Sequence, residues 1–252
     1  MASTHVPGVP GEFPIRGWLA SCSAPFRRDF LALARPKSIT AGSVMFRAGD
    51  VGRDLFGIVS GVVLLEARFT HPDAALLHML RAGDWLGMLV WISERSPRFF
   101  SAVARTDVEL LHVPASEMNA LLKRHPEATA ELFRSAIWAM EVALQCAADL
   151  LIKDASARCA AVLLRMAGRR WASDPEAHLP SEIPASQAEL AMLCNVSRKT
   201  FSRVVSEFST LGLVSVGYKS LTVRDPARLR LTAELGSEQT TPRGGARRPN
   251  RS

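Results

Sequence analysis

The chain has 252 residues, 48% of them hydrophobic, enough for one or two packed cores at a usual domain size of about 100–200 residues. No run of about 18 uninterrupted apolar residues occurs, which argues against a membrane span, and the opening residues, broken by Pro7, Pro10 and Pro14, lack the apolar core of a signal peptide, so the expected location is the cytoplasm. The formal charge of +7 is unevenly placed: residues 1–155 hold 16 Lys/Arg against 16 Asp/Glu and residues 156–252 hold 15 against 8, which directs the C-terminal part toward a polyanion.

Taken in chain order, residues 1–17 read as a flexible arm and residues 18–125 as a β-rich sensor domain. From Ile39 to Val113, short apolar runs such as Leu55-Phe56-Gly57-Ile58-Val59 and Val62-Val63-Leu64-Leu65 alternate with Ala48-Gly49-Asp50, Ser60-Gly61 and Ala82-Gly83-Asp84. Glycine and aspartate accept positive φ, so these are turn signals. Many short strands at this spacing predict a β-sandwich or barrel.

The texture changes near Pro114. Pro126 suits the first turn of a helix, and neither proline nor glycine interrupts the chain from there to Lys153. Residues 126–153 are therefore predicted as one long helix. Phe133, Ile137, Met140, Leu144, Ala147 and Leu151 recur at heptad spacing. A second apolar face holds Leu132, Ala136, Ala143 and Leu150. One face can cover the β-domain while the other meets a partner helix, which predicts a parallel homodimer. A stripe that merely docks on the chain's own β-domain is the alternative. A second helix is predicted from Ser156 to Ala167, stopped near Gly168, followed by an irregular loop over Arg169–Glu182.

Residues 154–231 read as a winged helix-turn-helix. Ser186 and Glu189 have capping-box spacing. Leu190 and Leu193 would face inward, and Ala191 is small enough for two helices to cross closely. Asn195 tolerates the left-handed conformation such turns use, and Ser197 can cap the next helix. In that helix Phe201, Val204, Val205 and Phe208 follow i, i+3, i+4, i+7 and form one buried stripe. The opposite side presents Arg198, Lys199, Ser202 and Arg203. A recognition helix needs this division: an apolar face to anchor it and polar N-terminal residues to enter the major groove. Gly212 can end the helix. Val214–Val216 and Leu221–Val223 alternate around a turn and predict a β-hairpin with Lys219 at its tip, near a phosphate or simply solvated. Residues 232–252 read as a disordered basic tail.

On these features the chain resembles the Crp/Fnr family, that of the catabolite activator protein, over roughly Pro36 to Leu231. The strongest motif is Val196-Ser-Arg-Lys-Thr-Phe-Ser-Arg203, against the family pattern V-S-R-E-T-x-S-R. Gly49-Asp50, Ser60-Gly61, Gly83-Asp84 and His125-Pro126 support it. The resemblance implies an α+β fold with an N-terminal cyclic-nucleotide-binding-type β-roll, a long dimerisation helix and a C-terminal winged helix-turn-helix. It implies that Arg198, Lys199, Ser202 and Arg203 read bases and that Ser186, Gln187, Ser197 and Thr200 touch phosphates. Partners would be double-stranded DNA at a palindromic operator, a second copy of the chain, and RNA polymerase. Lys199 stands where the family usually has glutamate, so the operator should differ at that base pair, because lysine donates where glutamate accepts.

The implied ligand site departs further. Cyclic-nucleotide binders of the family show G-E-x-A-L and then P-R-A-A/S-T/S, whereas this chain has Gly87-Met88-Leu89-Val90-Trp91 and then Pro97-Arg98-Phe99-Phe100-Ser101. Arg98 could pair with an anion or lie at the surface. Met88 cannot accept a ribose hydroxyl, and Phe99 and Phe100 add bulk. Cyclic AMP binding in the usual way is not expected; a different, more apolar effector, or none, is. His71 and His78 fall where a haem-binding carbon-monoxide regulator of the family carries its ligand, with nothing else in support.

No cofactor, metal or catalytic site is assigned. Cys22, Cys146, Cys159 and Cys194 are scattered without metal-ligand spacing and read as buried, reduced thiols. No nucleophile elbow, Walker loop, H-E-x-x-H or dinucleotide fingerprint is present. The expected function is that of a dimeric DNA-binding regulator in which an effector at the β-roll shifts the long helix and a hinge near Lys153–Ser156 swings the reading heads. A ligand-binding or scaffold protein without DNA-binding activity is the alternative.

Overall fold

Along Leu55–Ser60 and Val108–Val113, successive residues turn to opposite faces of a sheet, and apolar residues of both parities are buried. The computed structural model describes residues 2–5, 12–67, 75–92, 97–170 and 178–238. The chain separates into two units, Met1–Gln145 and Cys146–Ser252.

The first unit opens with β1 (Ala2–His5), β2 (Glu12–Ile15), α1 (Trp18–Ser21) and α2 (Ala24–Leu31). There follow β3 (Arg35–Ile39), β4 (Val44–Phe46), β5 (Leu55–Ser60), β6 (Val62–Ala67), β7 (Ala75–Arg81) and β8 (Trp85–Leu86). Next come α3 (Leu89–Ile92), β9 (Ser101–Ala104), β10 (Val108–Val113), α4 (Ala115–Arg124) and α5 (Ala128–Leu151), whose last turns belong to the second unit. Two four-stranded antiparallel sheets, β3-β10-β5-β8 and β4-β9-β6-β7, enclose Phe46, Phe56, Ile58, Val63, Leu80, Leu86 and Val108. This is the expected β-roll. Strand β10 shows the two-residue period directly: Val108 and Leu110 face this interior, while Leu111 and Val113 join a second core behind the first sheet.

That second core corrects the expectation for the N-terminus. Residues predicted as a flexible arm form the β1–β2 hairpin, and Phe13 is fully buried against Trp85, with ring centroids 5.7 Å apart. Arg16 pairs with Asp84 at 2.7 Å. Trp18, Phe26 and Phe30 of α1 and α2 complete the cluster with Trp91, Met118 and Leu132. Proline and glycine suggested looseness, but large aromatic surface removed from water outweighs the local entropy. Residues 6–11 of the predicted arm lie outside the described residues.

The second unit contains α6 (Ala155–Ala167), β11 (Ser181–Ile183), α7 (Gln187–Leu193), α8 (Arg198–Thr210), β12 (Val214–Gly217), β13 (Ser220–Val223) and α9 (Pro226–Glu238). Asp154 caps α6, accepting from the Ala157 N–H at 2.7 Å, and Gly168 ends it in the left-handed conformation at φ 66°. Helix α6 is buried on nearly all sides. Asp149, at the end of α5, is 1% exposed and accepts from Arg165 Nε at 2.9 Å and from Arg170 Nε at 3.2 Å.

Two expectations are corrected here. The wing is a three-stranded sheet, β11-β13-β12, because Ser181–Ile183, at the end of the predicted loop, pair with β13. Residues 232–238, predicted as disordered tail, continue α9, which buries Leu229 and Ala233. Asp225 starts that helix by accepting from the Arg228 N–H at 3.0 Å, with Pro226 in its first turn. Residues 171–177 of the loop and 239–252 of the tail lie outside the described residues.

Candidate nucleic-acid interface

The reading face is built by helix caps and one buried stripe. Ser186 and Glu189 close the capping box: Glu189 Oε2 accepts from the Ser186 N–H at 2.7 Å, and Ser186 Oγ accepts from the Glu189 N–H at 3.3 Å. Ser186 Oγ also donates to Glu189 Oε2 at 2.6 Å, so this hydroxyl is committed to holding α7. Gln187, next to it, is exposed. The turn passes through Asn195 at φ 49°, and Ser197 Oγ accepts from the Thr200 N–H at 3.1 Å to start α8.

Phe201, Val204, Val205 and Phe208 are all buried, so the orientation of α8 is fixed. Arg198, Lys199, Ser202 and Arg203 are exposed, and Thr200 is half-buried. All four predicted base-reading residues thus share the outward side of the first two turns. Arg203 Nη1 donates to Glu207 Oε1 at 2.7 Å, an exposed pair one turn apart. Lys199 and Arg198 are not drawn inward. Lys219 occupies the wing tip at φ 51° and is exposed, its Nζ 5.4 Å from the Tyr218 ring centroid. Tyr218, 89% exposed, was not among the predicted contacts. Its signal was its place in a polar turn, where an aromatic ring has no core to serve.

The predicted ligand residues do not share one surface. Met88 is buried in the aromatic core behind the first sheet, with Trp85 and Trp91. Arg98 is 6% exposed, which corrects the surface reading. Its guanidinium carbon lies 4.1 Å from the Phe46 ring centroid, and Nη2 donates to the Asp54 carbonyl at 3.0 Å. Burial pulls this guanidinium below its usual pKa, opposed by the charges of Asp54 and Asp50. Gly87, at φ 99°, passes so close that an added Cβ would sit 2.4 Å from the Asp54 carbonyl oxygen and 3.1 Å from Arg98 Nη1. Phe99 faces solvent, contrary to the expectation that it fills the site, while Phe100 packs against the roll core. Ser101 Oγ accepts from the Ala48 N–H at 3.1 Å. His78 lies half-buried on β7, and His71 lies outside the described residues.

Along α5, Phe133, Ile137, Met140, Leu144 and Leu151 are 51–76% exposed, and Ala147 is exposed as well. The second face is split: Leu132 is buried in the aromatic core and Ala136 is half-buried, but Ala143 and Leu150 are exposed.

Residues 36–125 match the model of the cyclic nucleotide-binding domain, and residues 157–232 match that of the Crp-like helix-turn-helix domain. A cyclic AMP receptor protein of Thermus thermophilus is 30% identical over 192 residues, covering 75% of this chain and 83% of the relative. A CRP-like cAMP-activated global transcriptional regulator of Mycobacterium tuberculosis is 27% identical over 195 residues, covering 77% and 86%. The solved structure of FixK2 from Bradyrhizobium japonicum aligns with a TM-score of 0.65 at 20% identity, over 79% of this chain and 96% of that one, a likeness of fold.

Proposed function

The chain belongs to the Crp/Fnr family of transcription regulators and is a DNA-binding regulator, and from that premise we propose that it works as a homodimer on a palindromic operator under control of an effector other than cyclic AMP. The observation that supports this most is the outward cationic side of α8, backed by four buried apolar residues and started by the Ser197 cap. In this reading Arg198, Lys199, Ser202 and Arg203 meet base edges, while Gln187, Ser197, Thr200 and Lys219 face phosphates. Ser186 acts through its capping box, setting the position of Gln187. The wing and α9 are part of the DNA-binding domain, and the N-terminal hairpin is part of the sensor. The protein acts in the cytoplasm, without catalysis, and meets RNA polymerase at the promoters it controls.

The sensor reading rests on Arg98 and Met88. Arg98 is engaged by Phe46 and the Asp54 carbonyl, and Met88 is consumed by a core on which no ribose hydroxyl could dock. Binding-site selection with the full chain, run with and without cyclic AMP, tests both halves. It is expected to return palindromes with guanine opposite Lys199 and equal affinity in both arms, with affinity falling steeply as salt rises. Recovery of the usual family half-site, or a requirement for cyclic AMP, would overturn it.

Two competent heads should sit about 34 Å apart, one turn of DNA. The exposed heptad stripe of α5 is the surface that would set this spacing. The double variant Ile137→Glu/Leu144→Glu should sediment as a monomer and bind a half-site no more weakly than the native chain does, while losing the gain from the full palindrome. A dimer of unchanged mass would place the interface elsewhere.

A further inference from the structure

Helix α2 divides its side chains between two tasks. Phe26 and Phe30 join the aromatic core that also holds Leu132 of α5. Ala24, Arg27, Arg28 and Leu31 fall at i, i+3, i+4, i+7, one helical face, and all four line a groove of about 550 Å³ shared with the β1–β2 hairpin. That volume suits a small organic molecule. Every described residue lining it precedes Pro36, where the match to the cyclic nucleotide-binding domain begins, so the groove is an addition to the roll. Its apolar part is aliphatic: Ile15 and Leu31 are buried, and no Phe, Tyr or Trp lines it among the described residues. Its charge has one sign, because Arg27 and Arg28 line it and, among the described residues, no carboxylate does. Arg27 is anchored through Nη1, which donates to the Cys22 carbonyl at 2.5 Å and to the Ala20 carbonyl at 3.3 Å. Its Nε and Nη2 have no partner among the described residues, so a guanidinium already held in place keeps donors to offer. Arg28 pairs with Asp29 through Nε alone, at 2.9 Å, and Glu12 on the hairpin accepts from the Ser3 hydroxyl. The helix is also tied to α5: Ser23, its cap, donates its N–H to Glu131 Oε1 at 3.1 Å.

We propose that this groove is an effector site for a small aliphatic carboxylate, whose head pairs with Arg27 and Arg28 and whose chain lies over Ile15 and Leu31; its regulatory effect rests on the DNA-binding reading above. A guanidinium offers a planar fork of donors that matches a carboxylate, and such charge-assisted bonds are the strong ones. The aliphatic floor supplies the rest of the affinity by removing the chain from water. A molecule seated there bridges α2 and β2. A shift of α2 reaches α5 by two routes, the Ser23–Glu131 hydrogen bond and the shared packing of Phe26, Phe30 and Leu132. Both routes end on the helix whose exposed stripe is assigned above to the dimer, so occupation of the groove can bias how the two reading heads are set.

The test is calorimetric titration of the full chain with octanoate, beside hexanoate, octanol, octylamine and inorganic phosphate. Octanoate is expected to bind about tenfold or more tightly than octanol, which lacks the charge-assisted pair, and about tenfold more tightly than hexanoate, since each buried methylene counts about fourfold. Arg28→Gln should weaken octanoate about tenfold without moving the melting temperature, because only an exposed ion pair is lost. Ala32→Trp, at an exposed position on the groove wall, should block it. Saturating octanoate should shift affinity for the selected duplex about fivefold or more, and saturating duplex should shift octanoate affinity by the same factor. No octanoate binding, equal binding of octanol, tighter binding of octylamine or phosphate, undiminished binding in either variant, or full occupancy with unchanged duplex affinity would overturn the proposal. A protein that selects no duplex fails the regulator reading instead, and the calorimetry still decides the groove.

Discussion

Replacing Arg198 and Arg203 together by alanine is expected to lower operator affinity by about 10²–10⁴-fold, since a bidentate arginine–guanine contact is worth about 1–3 kcal/mol and each 1.4 kcal/mol is a factor of ten. Both residues are exposed, and neither packs on the stripe of Phe201, Val204, Val205 and Phe208. The fold should therefore be untouched. The double substitution breaks the Arg203–Glu207 ion pair, but an exposed pair one helical turn apart is worth only about 0.3–0.5 kcal/mol. Anisotropy titrations at fixed salt give the affinity, and thermal melts give the stability. The salt slope separates the two ways an arginine could act. A base-reading arginine changes the preferred sequence, whereas a phosphate-binding one weakens all sequences alike and flattens the slope by about one per residue. Native affinity in a variant that melts normally would remove the recognition helix from the account.

How far the sequence could be read follows the range of the interactions involved. The helix-turn-helix was legible because its determinants are local. Ser186 with Glu189, Asn195, and Ser197 ahead of a helical stripe all act within one or two turns. The heptad stripe of α5 is likewise a local pattern. The N-terminal hairpin was not legible, because Phe13 is ordered by Trp85, far along the chain, and no local period announces that meeting. Arg98 is the same case: its fate depends on Phe46 from β4 and on the carbonyl of Asp54, neither adjacent to it in sequence. Strand β11 is three residues long and is held by pairing with β13 and by the Ser181 hydroxyl, which donates to the distant Ala167 carbonyl at 2.9 Å. Helix α9 differs, since its signal stood in plain sequence. Asp225-Pro226 is a helix start, but Gly236 and the polar residues beyond made the segment resemble a tail.

Asp149→Ala is expected to destabilise the C-terminal unit by about 3–5 kcal/mol, the usual cost of removing one member of a buried ion pair. Asp149 is 1% exposed, and the Arg165 side chain is 5% exposed, so water cannot replace the missing carboxylate without opening the structure. Arg170, at 21%, can turn to solvent and should matter less. Asp149→Leu with Arg165→Met removes both buried charges and should restore most of the stability. Hydrogen exchange of α6 amides, with urea melts, gives the two values; an Asp149→Ala protein as stable as the native chain would show that the cluster contributes little. The cluster also bears on how a signal could travel. The predicted hinge lay at Lys153–Ser156, yet Asp149 and Arg165 bridge that break, and Arg158 ties the Ile152 and Lys153 carbonyls to the start of α6. A swing at that hinge must first pull apart a buried ion pair. An effector can supply only its difference in affinity between two states, and several kcal/mol demands a preference of about 10²–10³-fold or more. The last turns of α5 and α6 are therefore expected to move together, with the pivot on the N-terminal side of Asp149. Exchange protection of α6 that stays constant as operator affinity is switched would agree with this, whereas weaker protection on switching would return the hinge to Lys153–Ser156.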